Sequence, residues 1–326
     1  MPDKLKLSLA IDRYDRHMPF FDGTLDLPDR LELDVKQAGQ SNTLRDGTDR
    51  HGRMIHDGEF DICEFSMSTF LMAKSRGMPL AGIPVFPRRL FSQSQMWVHP
   101  DSGIWHPKDL IGKKVAVSSF QTTLSLLAKG DLKFYYDVPW EEIHWLLTSS
   151  EKVKFEPKAG VKIDYIGDQA GLGHKLVSGE VDALFLPRPP KSVAAGETPA
   201  RHLFKDCRAE EKEYFDTVGD FPIMHVVAVR QSLIEEEPWL AQAIIDMFNQ
   251  ARDISERYYD DPGYTRMAWA RHGVEEERHA FGNPWQNGFK QNRANLERFI
   301  KYSHDQGLID EVYPPEILFV ESTLDT

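Results

Sequence analysis

One repeated unit constrains this chain more than any other: a short apolar run, a polar turn at its end, then a segment of helical periodicity. LKLSLAI ends in Asp12-Arg13-Tyr14-Asp15-Arg16, FDICEF runs into Glu64-Phe65-Ser66-Met67-Ser68 ahead of a helical segment, and KKVAVSS ends in Phe120-Gln121-Thr122-Thr123 at the start of another. Apolar runs punctuated in this way predict strands alternating with helices, the pattern of α/β architecture with largely parallel sheets. LELDVKQA, LAGIPVFP, SQMWVHP, VKIDYIG, VDALFLP and MHVVAVR supply further strands. Gly58 closes a helix over HGRMIHDGEF and Gly77 one over STFLMAKSRG. From PWLAQAIIDMF onward the periodicity is mostly helical, broken by a loop at FGNPWQNG.

A chain of 326 residues exceeds what one hydrophobic core usually supports, so the expectation is two lobes. Residues 1–98 with 225–326 make the first, discontinuous and carrying the helical tail, and 99–224 make the second. The chain crosses between them near Ser94 to His99 and near His225 to Arg230. Open α/β sheets bind ligands beyond the carboxyl ends of their strands, so two facing lobes enclose a cleft.

Acidic side chains outnumber basic ones, 51 to 39, for a formal net charge of −12. That balance argues against nucleic acid or an anionic membrane as partner but leaves room for a small anion held by local arginines. No stretch approaches the roughly 18 apolar residues of a membrane helix. The amino-terminal MPDKLKLSLAIDRYD reads as a first strand rather than an export signal, so a cytoplasmic location is expected. Cys63 and Cys207 are the only cysteines; they show no disulfide or metal spacing, and Cys63 reads as a small core residue.

Strand ends select the candidate site. Arg13, the serines Ser66 and Ser68, the pair Arg88 and Arg89 after PVFP, the polar turn Gln121-Thr122-Thr123, and Arg188 within PRPP all fall there. Arginines converging on a cleft indicate carboxylate or phosphate, because the guanidinium fork holds such oxygens bidentately. For Arg13, Arg88 and Arg89 a surface-loop role weighs equally, whereas the prolines around Arg188 favour its pointing at ligand. The turn Gln121-Thr122-Thr123 at a helix start suits either an anion or plain capping. Ser66 and Ser68 either line the site or cap a helix. Glu64 ends a buried strand, where a lone carboxylate is costly, so it pairs with an arginine or holds a substrate hydroxyl.

His225 stands at the mouth of a strand, after the turn FPIM, where a core has no use for a titratable group. The other histidines, His51 among them, show no metal-ligand spacing and read mostly as surface residues. Neither a nucleophile elbow nor a nucleotide-binding glycine loop is present. Trp239, Trp269 and Trp285 in the tail either pack it on the first lobe or form an interface in a homo-oligomer.

FDICEFSMSTFL, IPVFPRRLF, VSSFQTT, VDALFLPRPP, TVGDFPIMHVVAVR and the closing NR…L…Y…QGL resemble the 4,5-dihydroxyphthalate decarboxylase family over nearly the whole chain. The resemblance implies a fold like the type 2 periplasmic binding proteins and a carboxy-lyase acting on a hydroxylated aromatic acid in catabolism. It sets Glu64, Ser66, Ser68, Arg88 or Arg89, Gln121, Thr122, Arg188 and His225 on family motif positions. The chain departs from the family pattern at Ser118-Ser119-Phe120, at Ser92-Gln93 and at Ala128-Lys129-Gly130, all at expected cleft edges. His225 is the expected proton donor or hydroxyl-activating base, with Glu64 as partner and arginines clamping carboxylates. No cofactor is expected; the chemistry of aromatic decarboxylation leaves a divalent metal open, but no ligand set stands out. The rival expectation is a solute-binding protein for a small aromatic carboxylate, without chemistry.

Overall fold

The computed structural model describes residues 4–39, 49–167 and 169–326. Among these, eleven strands form two sheets. They are β1 (Leu5–Ala10), β2 (Leu31–Lys36), β3 (Ile62–Ser66), β4 (Leu80–Ile83), β5 (Met96–Val98), β6 (Lys114–Val117), β7 (His144–Leu147), β8 (Ile163–Tyr165), β9 (Ala183–Phe185), β10 (Arg201–His202) and β11 (His225–Arg230). The first sheet has the order β2-β1-β3-β11-β4, and the second β10-β5-β9-β6-β7-β8.

The sheets are mixed rather than largely parallel. β11 runs antiparallel to both β3 and β4, and β5 runs antiparallel to β9 and β10. The physical reason is the route of the chain: β11 is a returning strand that enters the first sheet from the end facing the second. Its first residue therefore lies at the carboxyl end of β3, with His225 opposite Ser66 and Val227 opposite Glu64. β5 already pairs in the second sheet, so the first change of sheet falls within residues 84–95, which overlaps the expected Ser94 to His99 only at its start.

A continuous apolar cluster joins Cys63, Phe65 and Phe70 to Val117, Phe120 and Phe185 and takes in Phe299 and Ile300 of the tail. Separate clusters cover the outer faces. Leu7, Leu9, Val227 and Val229 pack against Ile244 and Phe248 of the helix Leu240–Tyr258, while Ala116 and Leu184 pack against Leu172 and Leu176.

The tail does more than cover the first sheet. Its last long helix, Phe289–Asp305, lies against the helix Thr123–Phe134 of the second, with Gln306 Nε2 donating to the Leu126 carbonyl at 2.8 Å and Lys133 Nζ at 2.6 Å from Asp305. Of the three tail tryptophans, Trp239 packs under Arg30 and Trp285 against Arg16 and Phe221; Trp269 is 79% exposed. No helix among the described residues is long and apolar enough to cross a membrane.

Candidate active site

The strand ends of the two sheets border a cleft of about 820 Å³. One wall carries Arg50, His51, Ser66, Arg88 and His225, and the facing wall carries Ser118, Ser119, Gln121 to Thr123, Lys152, Pro187 to Pro190 and Lys191. Of the charged side chains lining it among the described residues, Arg50, Arg88, Lys152, Arg188 and Lys191 are cationic and Asp49 alone is anionic.

At the first wall the strand register brings Glu64 and His225 together. Their Oε1 and Nδ1 lie 2.5 Å apart, with Glu64 0% and His225 4% exposed. Glu64 Oε1 also accepts from the Tyr14 hydroxyl at 3.1 Å and lies 2.8 Å from Arg50 Nη2, while Oε2 accepts from the Asp12 amide at 3.0 Å. Arg50 is itself fully buried, donating to Asp12 Oδ2, to the Ala38 carbonyl and to the Glu64 carbonyl. The result is a buried charge cluster in which each ion has several partners, the condition under which burial of charge is tolerable.

Burial alone would raise the Glu64 carboxyl, but the Arg50 charge and the His225 hydrogen bond hold it well below the usual carboxylate range. Glu64 is thus an ionised acceptor, and the Nδ1 facing it carries the proton. Burial drives the His225 pKa down to about 4, against the upward pull of Glu64 and with the help of Arg88 and Arg50. At neutral pH His225 is a neutral imidazole whose Nδ1 is committed, which leaves Nε2 as the lone-pair nitrogen.

Several candidates read from sequence lie elsewhere. Arg13 is exposed, its Nε directed at Met18 Sδ and its guanidinium over Phe21, and it does not border the cleft. Arg89 is buried and donates to the Phe221 and Gln286 carbonyls and to Asn292 Oδ1, a structural tie between tail and loop; burial lowers its pKa to about 10. Arg88, its neighbour, is the one at the cleft, and its carbonyl accepts from the Met224 and His225 amides. Ser68 is fully buried off the cleft.

Ser66 borders the cleft, but its hydroxyl meets Thr123 Oγ1 at 2.9 Å, a bridge between the walls. Thr122 Oγ1 donates to the Ser119 carbonyl and meets Ser125 Oγ, so it does not cap the helix. Gln121 exchanges hydrogen bonds with the backbone of Val153. The amides of Phe120 and Gln121, at the turn read as either an anion site or a plain cap, are occupied by the Glu151 carboxylate at 2.6 and 3.2 Å. Arg188 borders the cleft.

Sequence reasoning missed Arg50, His51 and Lys152. Far from being a surface residue, His51 is 8% exposed, with its ring 5.5 Å from that of His225 and nearly perpendicular to it. Lys152 reaches across the cleft mouth to Asp49 Oδ2 at 2.5 Å. A signal existed in Asp49-Arg50-His51-Gly52: Asp49 has φ 60°, its carboxylate caps the Gly52 amide, and a Cβ at Gly52 would lie 2.5 Å from that carboxylate. Cys63 is a buried core thiol, pushed up to about 12 by its surroundings. Among the described residues no three His, Cys, Asp or Glu side chains stand together as a metal-binding group.

Residues 42–130 match the family model described as NMT1/THI5 like. The chain is 28% identical to a 4,5-dihydroxyphthalate decarboxylase of Comamonas testosteroni over 99% of its own length and 98% of that protein's. In solved structures it is similar to the periplasmic aliphatic sulphonate binding protein SsuA of Escherichia coli (TM-score 0.61, 13% identity, 97% of this chain and 92% of that one). It is also similar to the desulfurization enzyme DszB (TM-score 0.54, 18% identity, 98% and 97%). The two structures support the two-lobed α/β fold, one as a binding protein and one as an enzyme.

Proposed function

We propose that this chain, whose resemblance to the 4,5-dihydroxyphthalate decarboxylases runs its whole length on a binding-protein fold, is a carboxy-lyase for a hydroxylated aromatic acid, 4,5-dihydroxyphthalate or a close analogue. The observation that carries the reading is the buried Glu64–His225 pair on the wall of a cationic cleft. Holding a carboxylate needs cations; it does not need a neutral imidazole backed by a buried carboxylate. That pairing suits proton transfer, since the anion fixes the tautomer and stabilises the imidazolium once formed.

Arg88 and Arg188 hold the carboxylates of the substrate. His225 Nε2 takes the proton of the ring hydroxyl para to the departing carboxylate, and the oxygen's electron pair moves through the ring toward the carbon that bears it. Water in the cleft gives a proton to that carbon. The bond to the carboxylate breaks, CO2 leaves with no net change of oxidation state, and its bonding pair restores the aromatic ring. The imidazolium then returns its proton to the phenolate oxygen.

Incubation of the purified protein with the dihydroxyphthalate, with CO2 release followed directly, tests the reading. His225→Ala should lower kcat by about 10²–10⁴; undiminished turnover would remove His225 from the chemistry. The similarity to a sulphonate-binding protein supports the second reading, a carboxylate-binding protein. It calls for a ligand-induced rise in melting temperature with no CO2 released.

A further inference from the structure

We propose that His51 is a second substrate-facing imidazole, the group that hydrogen-bonds a ring hydroxyl adjacent to the one His225 deprotonates. The proposal rests on the reading above for the chemical class of the ligand. His51 borders the same cleft, beside Arg50 and edge-on to His225, with Phe65 packed behind it at 5.2 Å between ring centroids. Its Nε2 is buried and has no hydrogen-bond partner among the described residues. A buried nitrogen without a partner is destabilising, and natural structures carry few of them without a purpose. In a cleft wall, a ligand group is the partner that removes the cost.

The chemistry of the group narrows what that ligand group is. Burial first, then the Arg50 charge, holds His51 well below its ordinary pKa against the upward pull of Glu64, so it is uncharged at neutral pH. An uncharged imidazole offers one N–H and one lone pair, which suits a phenol; carboxylates are better met by the cleft's Arg88, Arg188 and Lys152. His225 cannot serve two hydroxyls, because Nδ1 is committed to Glu64. Two neutral imidazoles side by side, one committed to proton transfer and one with an open nitrogen, match two hydroxyls on neighbouring ring carbons.

The test compares a vicinal dihydroxyphthalate with the matching monohydroxyphthalate, by calorimetric Kd and by CO2 release, in the wild type, His51→Ala and His51→Gln. The wild type should bind the dihydroxy acid about tenfold more tightly, the equivalent of one net hydrogen bond. His51→Ala should bring the ratio near one by weakening the dihydroxy acid alone. His51→Gln keeps a donor and an acceptor, so its ratio should fall between the two, and it carries the test if the alanine variant does not fold. A ratio unchanged by the substitutions, or equal weakening of both acids, overturns the proposal. If no form of the protein releases CO2, the decarboxylase reading fails while the binding ratio still decides the role of His51.

Discussion

His225 was legible in the sequence because a titratable group stood where a strand enters a core, and Glu64 because a carboxylate ended a buried strand. Their contact was not, since it follows from the antiparallel register of β11 on β3, a pairing across 161 positions. Arg50 and His51 were hidden for a different reason: they belong to a short helical turn, Arg50–Gly52, whose residues show no periodicity to mark a buried face. The pair makes a specific demand on pH. Glu64 pulls the His225 pKa upward while burial pulls it down, so Glu64→Gln should move the acid limb of kcat/KM below the value of about 4 that His225 has in the intact site. The same substitution leaves Arg50 with one buried carboxylate instead of two. A stability loss of about 3–5 kcal/mol in urea denaturation is expected, with kcat reduced about 10²-fold or more because the imidazolium loses its counter-charge. An acid limb that moves upward, or an unchanged kcat, would separate Glu64 from the proton chemistry.

Among the elements, the helix Thr123–Phe134 shows how far pattern reading reaches. Its strand–turn–helix context was plain from VAVSSFQTTLSLL, yet its interior buries Lys129 and Asp131, which no amphipathic pattern anticipates. Lys129 Nζ donates to the Phe120 carbonyl and lies over the Phe120 ring, and burial drives its pKa far below the ordinary lysine value. Asp131 accepts from Ser92, Tyr214 and Tyr302, residues drawn from the connection between sheets, the second lobe and the tail. Between these two lies Gly130, where an added Cβ would sit 1.9 Å from the Tyr302 ring. That ring cannot yield easily, since it stacks on Phe134 and bonds Asp131. Gly130→Ala should therefore lose about 1–3 kcal/mol to overpacking, offset by at most about 1 kcal/mol of helix propensity. Thermal or urea denaturation reads the difference, and a stabilised variant would mean that the two helices do not approach this closely in solution.

At the scale of the whole molecule, two facing α/β lobes were legible from alternation and length, whereas the mixed sheets and the tail's grip on the second lobe depend on long-range pairing that no local pattern encodes. The same packing buries three histidines in uncharged form. His17 and His225 have pKa values of about 4 and His51 lies well below 6.5, in each case first through burial. Between about pH 4 and 6.5 the unfolded chain binds protons at these positions that the folded chain does not. Stability therefore rises with pH across that window and is lost as pH falls, each histidine contributing a slope of about 1.4 kcal/mol per pH unit. Asp131 acts in the opposite sense: burial raises it to about 6, so from there down to its unfolded value near 3.8 the folded state holds the extra proton. Three histidines against Asp131 and the likewise raised Glu211 leave a net loss of stability on acidification. Urea midpoints measured at about pH 7 and about pH 5 should fall at the lower pH in the wild type, and by more in Asp131→Asn, which removes the opposing proton. His17→Gln should make the fall smaller. A midpoint that rises toward about pH 5 in the wild type would mean that these imidazoles are charged in the folded state, and with that the neutral His225 on which the proposed proton transfer depends would be lost.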